Sequence, residues 1–296
     1  GRAPTRLAAA ALVLTAGMAF ATSSPLGRWA RPADPLVVAF GRLALAAVAL
    51  VLFDARGIAA SVRALTPKQR LTVAAGGALL GAHFACFQWG LDHTSLAAAA
   101  SLVSLEPVSV VVVAWVLFKL RPSREELIAI GVATLGALLV GSAAGEGEHR
   151  VIGDAGVIAA VVLFGLYLAV ARAVPKTLPT RSYVALVYAS AAVTVGLALP
   201  WSASSRPPGA FDLPVHAVAA IALLALVPTI VGHTVLQAAA RVLPPSLVSL
   251  ASPLETVGSI AIGAAVLGEM PTSRETAGSA LVLVGTTLAL VAKRAR

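Results

Sequence analysis

Two glutamates stand where a carboxylate is costly. Glu106 lies near the middle of the apolar run "SLVSLEPVSVVVVAWVLF" (101–118), and Glu255 lies in "SPLETVGSIAIG" (252–263). An acid at the centre of a membrane-depth helix costs about 2.5–3.5 kcal/mol. Each glutamate therefore calls for a polar cavity, where it can bind a substrate amine or carry a coupling proton. The alternatives are pairing with Arg42, or hydrogen bonding to backbone freed by nearby prolines. Arg42, in "AFGRLALAAVAL", keeps its charge. It must snorkel, pair with an acid or hold a substrate carboxylate. These three charges sum to −1, a hint of an amine-bearing guest. His83 and His233 read either as proton relays and substrate contacts or as satisfied core histidines. Gln88 and Gln237 either bridge helices or hydrogen-bond a substrate, and Ser104 sits beside the first acid. The expected substrate-binding set is Glu106, Glu255, Arg42, His83, Gln88, Gln237, His233 and Ser104. Pro107, Pro228 and Pro253 mark helices whose backbone is kinked or left with a free carbonyl.

The elements that position these groups follow from composition. Of 296 residues, 58% are hydrophobic and 12% charged, about half the charge of a typical soluble domain (~25%). So few charges cannot cover a water-facing surface. The apolar residues come in blocks long enough for helices across a hydrocarbon core of about 30 Å. The expected spans are 6–24, 35–53, 70–90, 95–118, 124–143, 154–173, 182–200, 214–237, 245–267 and 275–292. The N-terminal block, ending in Ala19-Phe20-Ala21, mimics a signal peptide, but the repeat below needs it as a helix. Placing the N-terminus in the cytoplasm puts 16 of the 22 Lys and Arg inside and five outside, with Arg42 inside a span. That asymmetry predicts both termini cytoplasmic, in an inner (plasma) membrane. The net charge of +9 is then topological. It meets anionic lipid, and no nucleic-acid partner is expected. Cys86 is the single cysteine, so no intrachain disulfide forms.

A repeat organises the spans. At a constant offset of 149 residues, Leu105 meets Leu254, Glu106 meets Glu255, Pro122 meets Pro271, Glu126 meets Glu275, Gly136 meets Gly285 and Gln88 meets Gln237. The chain divides into a first five-helix repeat, 1–148, and a second, 149–296. Five is odd, so the second half enters the bilayer inverted. The expected fold is an all-α membrane protein with ten transmembrane helices as two inverted five-helix repeats. Such pairs place a substrate site near the midplane and supply the two opposed conformations of alternating access.

The segments "SLEPVSVVVVAWVLFKLRPSREELIAIGVATLGALLVG" (104–141) and "SPLETVGSIAIGAAVLGEMPTSRETAGSALVLVGTTLAL" (252–290) resemble the drug/metabolite transporter superfamily, in its ten-helix EamA-type branch. Arg42 resembles an arginine this family often carries early in the second span. Lys119-Leu120 departs from the family's common Gly-Glu, which the second half keeps as Gly268-Glu269. The resemblance implies export of amino acids or related small polar metabolites, driven by protons or by the substrate gradient.

No catalytic constellation, metal-ligand spacing or phosphate-cradling loop is present, so neither enzyme activity nor a cofactor is expected. The leading reading is a secondary exporter of amino acids or relatives, and the alternative is efflux of cationic drugs at Glu106 or Glu255. An intramembrane enzyme or a non-transporting receptor fits poorly. In the tenth span, Gly278, Gly285 and Ala289 share one face at the helical period. That face is either internal scaffold or the seam of a homodimer.

Overall fold

The computed structural model describes residues 6–171, 173–174, 177–205, 212–236, 239 and 251–292, and these are helices joined by short turns. In chain order the helices are α1 (Arg6–Ala21), α2 (Ser23–Trp29), α3 (Pro35–Ala64), α4 (Pro67–Asp92), α5 (Leu96–Val103), α6 (Glu106–Phe118), α7 (Arg124–Gly141), α8 (Val151–Ala171) and α9 (Thr180–Ser205). Then come α10 (Val215–Leu224), the π-helical π1 (Ala225–His233), α11 (Ala251–Ile262), the π-helical π2 (Gly263–Leu267) and α12 (Ser273–Ala292). Among the described residues, five helical stretches are long and apolar enough to cross a membrane: α3, α4, α8, α9 and α10 with its continuation to Leu236. The bent pair α5–α6 adds a sixth. The sequence leads one to expect ten. Among the rest, α1 has 16 residues, and α7 opens on Arg124, Glu125 and Glu126.

The surface inverts the soluble pattern. Leu52 is 80% exposed and Val215 87%, while Arg42 is 1% exposed. Large apolar side chains outside and charge inside fit a chain solvated by lipid.

Three local features depart from the expected spans. The second span runs past 53 because Asp54 leaves the helical region (φ −148, ψ 52) and starts a new helical turn, accepting from Gly57 N at 3.1 Å. The fourth span breaks into α5 and α6, bent by 42° at Ser104–Leu105. Pro107 causes this break. Its missing N–H is harmless only in a first helical turn, which is where α6 places it. Ser104 Oγ donates to Ser101 O at 2.7 Å, so the break leaves that carbonyl satisfied. Finally, the loop between the first two expected spans folds into the seven-residue α2, which the sequence does not announce.

Two matched pairs of the repeat have structural roles. Ser123 with Glu126, and Thr272 with Glu275, exchange side-chain and backbone hydrogen bonds at the starts of α7 and α12. Lys119 (φ 58) and Gly268 (φ 71), also 149 apart, both end their helices in the left-handed conformation.

Helices α7 and α12 pack along their length. A Cβ on Gly285 would lie 2.4 Å from Ala133 N, and one on Gly278 would lie 2.7 Å from Val140 N. The Gly278 and Gly285 part of the small-residue face is therefore filled by α7 of the same chain. A homodimer through α12 would have to use another of its faces. The remaining strong packing pairs are α4–α8, α3–α9, α4–α9 and α1–α11. The largest buried cluster joins α3, α4, α8 and α9 around Leu43, Leu80, Tyr188 and Ala191.

Candidate functional site

A narrow cavity of about 40 Å³, room for only a few water molecules, lies where α1–α6, α8, π1 and α11 converge. Its charged lining is Glu106, Glu255 and Arg42, and both His83 and His233 face it. Five of the eight residues expected from the sequence thus come together, although they are spread over five helical segments.

Arg42 is held by neutral groups. Its Nε and Nη2 donate to Thr229 Oγ1 at 3.1 and 3.0 Å, and Nη1 donates to Ser23 Oγ at 3.4 Å. Its guanidinium carbon stands 4.1 Å from the centre of the Phe84 ring, a cation–π contact. No carboxylate lies within ion-pair distance of Arg42 among the described residues. Thr229 is itself fixed. Its hydroxyl donates to Leu224 O at 2.8 Å, and its carbonyl accepts from Tyr188 Oη at 3.0 Å. It follows Pro228 within π1. Proline withholds an N–H from the helical ladder, and π turns accommodate such interruptions. The local sequence thereby places the threonine that orients Arg42.

The acids enter differently. Glu106 occupies the first turn of α6, where free amides and the helix dipole favour a negative charge. Glu255 lies inside α11. Arg42 and Glu255 feel each other's charge across the cavity. Neither acid has a hydrogen-bond partner among the described residues.

The walls are aromatic. Phe84 on α4 packs edge-on against both His83 (4.9 Å) and His233 (5.7 Å), and Phe20 on α1 meets His233 at 4.9 Å. Phe87 and Phe164 close on His83 at 6.4 and 5.3 Å. His83 Nδ1 donates to Ala160 O at 2.8 Å, which fixes the ring and leaves Nε2 as its unassigned nitrogen.

Two expected residues lie off the lining. Gln88 donates from Nε2 to Gly27 O at 3.1 Å, tying α4 to α2, and this is the helix-bridging alternative. Ser104 is fully buried against Ser101 O at the α5–α6 break. Gln237 lies outside the described residues. The sequence reading missed Ser23, Thr229 and the four phenylalanines. Phenylalanine in an apolar helix has the same signature whether it faces lipid, core or cavity.

A buried cavity with unpaired charges of both signs, inside a lipid-solvated helical bundle built on a repeated sequence, points to a membrane carrier. The EamA-like transporter family model matches residues 7–142 and again 151–291. The chain belongs to the EamA-like transporter family. This EamA protein is accordingly a multi-pass membrane transporter of the drug/metabolite type, and the family match carries the drug/metabolite transporter resemblance of the sequence. A search of curated proteins gives no match. Among solved structures, one crystal structure aligns over 99% of this chain and 100% of the other, with a TM-score of 0.66 and 17% identity. At that identity the likeness concerns the fold.

Proposed function

We propose that this EamA protein exports amino acids or closely related small zwitterions, and that it is not an enzyme. It works by alternating access between two inverted five-helix repeats, 1–148 and 149–296. It resides in the inner membrane with ten spans and both termini cytoplasmic, as the basic loops favour. One observation carries the reading: Arg42 is a fully buried cation held by hydroxyls and an aromatic ring, in a cavity that also holds Glu106 and Glu255. A buried charge is costly unless it is paired. A substrate carrying both a carboxylate and an ammonium would supply an anion to Arg42 and a cation to the two acids. The phenylalanine walls would receive its apolar portion.

Efflux of organic cations is the second reading. Two acids against one arginine, within aromatic walls that attract cations, favour it. Proteoliposomes preloaded with unlabelled substrate and assayed for counterflow of radiolabelled amino acids decide between the two. The zwitterion reading expects accumulation above protein-free vesicles, and a loss of at least tenfold in Arg42→Ala. Counterflow of quaternary amines that survives Arg42→Ala, with none for amino acids, would establish cation efflux instead.

A further inference from the structure

We infer that α2 is the gate over the outer end of the cavity and that Arg28 holds it shut; the inference rests on the transport reading above. Helix α2 connects two places. At its start, Ser23 Oγ accepts from Arg42 in the cavity wall. Five residues on, roughly 8 Å along the axis at 1.5 Å per residue, Arg28 enters a buried polar knot. Its side chain is 4% exposed and has three partners. Nη2 donates to Thr94 O at 2.7 Å, Nη1 lies 3.2 Å from Glu148 Oε2, and Nε lies 2.9 Å from Glu269 Oε1. Arg31, just past α2, grips Asp92 through its carboxylate and its carbonyl, both at 2.7 Å, and reaches Glu148 at 2.6 Å.

Most of these contacts stay within the first repeat. The pair Arg28–Glu269 is different, because Glu269 belongs to the second. It follows π2, and its amide donates back to Gly263 O at 3.2 Å, so it rides on the helix that carries Glu255. One end of the cavity is therefore bounded by α2 on one side and α11 on the other, with Arg28–Glu269 bridging them beyond Ser23 and Glu255. A second rung lies deeper, where Ser259 Oγ donates to Ala21 O at 3.0 Å. Opening this end requires α11 to part from α2, and that motion must break the ion pair. The pair has no charged counterpart in the first repeat, where Leu120 stands at the position matching Glu269 and is 58% exposed. The latch therefore acts at one end of the molecule only, which biases the resting protein toward the outward-closed state.

The test is the accessibility of a cavity cysteine. Val103→Cys, in a Cys86→Ser background, is expressed in spheroplasts and labelled from outside with a membrane-impermeant maleimide. The full latch is expected to give slow labelling. Glu269→Gln, which removes the charge and keeps the volume, and Arg28→Ala should each accelerate it at least tenfold. Glu148→Gln, at a partner that is 62% exposed, should change it less than twofold. If Arg28→Ala does not reach the membrane, Glu269→Gln decides alone. Unchanged labelling in Glu269→Gln overturns the gate. So does equal acceleration at a buried reporter in the α7–α12 seam, Ala133→Cys, which would mean loosening of the whole bundle. The assay needs no substrate. A cavity that opens in Glu269→Gln while no compound is transported would leave the gate standing and sink the transport reading; active transport with unchanged labelling would do the reverse.

Discussion

His149 should make the stability of this protein fall as the medium becomes alkaline. Its ring has no exposed surface and sits between two carboxylates, with Nε2 2.8 Å from Asp154 Oδ2 and Nδ1 3.1 Å from Glu275 Oε1. Burial alone would pull its pKa down, but the two carboxylates outweigh it and hold the imidazolium to about 9, against an ordinary value of 6.5. One pH unit is worth about 1.4 kcal/mol, so the gap corresponds to at most ~3.5 kcal/mol. A group whose pKa is raised by folding gives its full stabilisation below its unfolded pKa. That stabilisation drains away between pH 6.5 and about 9, and little is left above. Thermal unfolding of detergent-purified wild type and His149→Gln, at pH 6, 7.5 and 9.5, tests the sign and the size together. The wild type should exceed the variant by on the order of 5 °C at pH 6, and the two should converge by pH 9.5. At that pH the native ring is neutral too, and both proteins carry the same uncompensated acids. A difference that stays constant with pH, or widens, would refute the claim that the imidazolium is the stabilising species.

Two further predictions follow from the backbone and from the cavity. Lys119→Gly should raise the melting temperature, because a lysine in the left-handed conformation costs about 1 kcal/mol that glycine avoids; Gly268→Ala, at the matching cap, should lower it by a similar amount. Thr229→Val should raise the KM for a carboxylate-bearing substrate roughly 10- to 100-fold, since a hydrogen bond to a charged group is worth about 1.5–3 kcal/mol, while Thr229→Ser should stay near wild type. A fall in kcat at unchanged KM would place Thr229 outside the positioning of Arg42.

The all-helical class and the repeated pattern were legible in the sequence, whereas of ten expected spans the described residues give five or six; the reasons differ by residue. The acids, the arginine and the two histidines stood out because ionisable side chains at membrane depth are rare, and all five reach the cavity. Pro107 announced a disturbance in the fourth span, and the α5–α6 break is that disturbance. The repeat offset pointed at Glu126 and Glu275 as strongly as at Glu106 and Glu255, yet the former pair caps helices. Equal spacing cannot separate a cap from a ligand; only the preceding Ser123 and Thr272, read as partners three residues upstream, carry that information. Helix α2 was invisible because "SSPLGRW" has no run of apolar periodicity. Its order comes from tertiary contacts of Arg28 and Arg31 with residues 60 to 240 positions away. The aromatic walls were hidden for the opposite reason: in a chain that is 58% hydrophobic, four more phenylalanines carry no signal.

The two repeats share a sequence pattern but not a backbone. The first half breaks at Ser104–Leu105, while the matching positions of the second, Pro253 and Leu254, lie within α11 (Ala251–Ile262). The second half has the π turns 225–233 and 263–267, where the first half runs as plain helix through 76–84 and 114–118. Prolines account for two of these differences. Pro107 faces Thr256 across the repeat, and Pro228 faces Leu79, so each half lacks a backbone donor where the other has one. Glu106 and Glu255 therefore cannot be equivalent, although they are matched. Glu106 sits in the first turn of α6, without a hydrogen-bond partner among the described residues, and faces the same cavity as Glu255. Glu255 lies within α11, and its compensation must come from across the cavity, from Arg42 or from what binds between them. The asymmetry sets the first acid at a helix start and the second within a helix, yet both face the one cavity and both depend on what binds there.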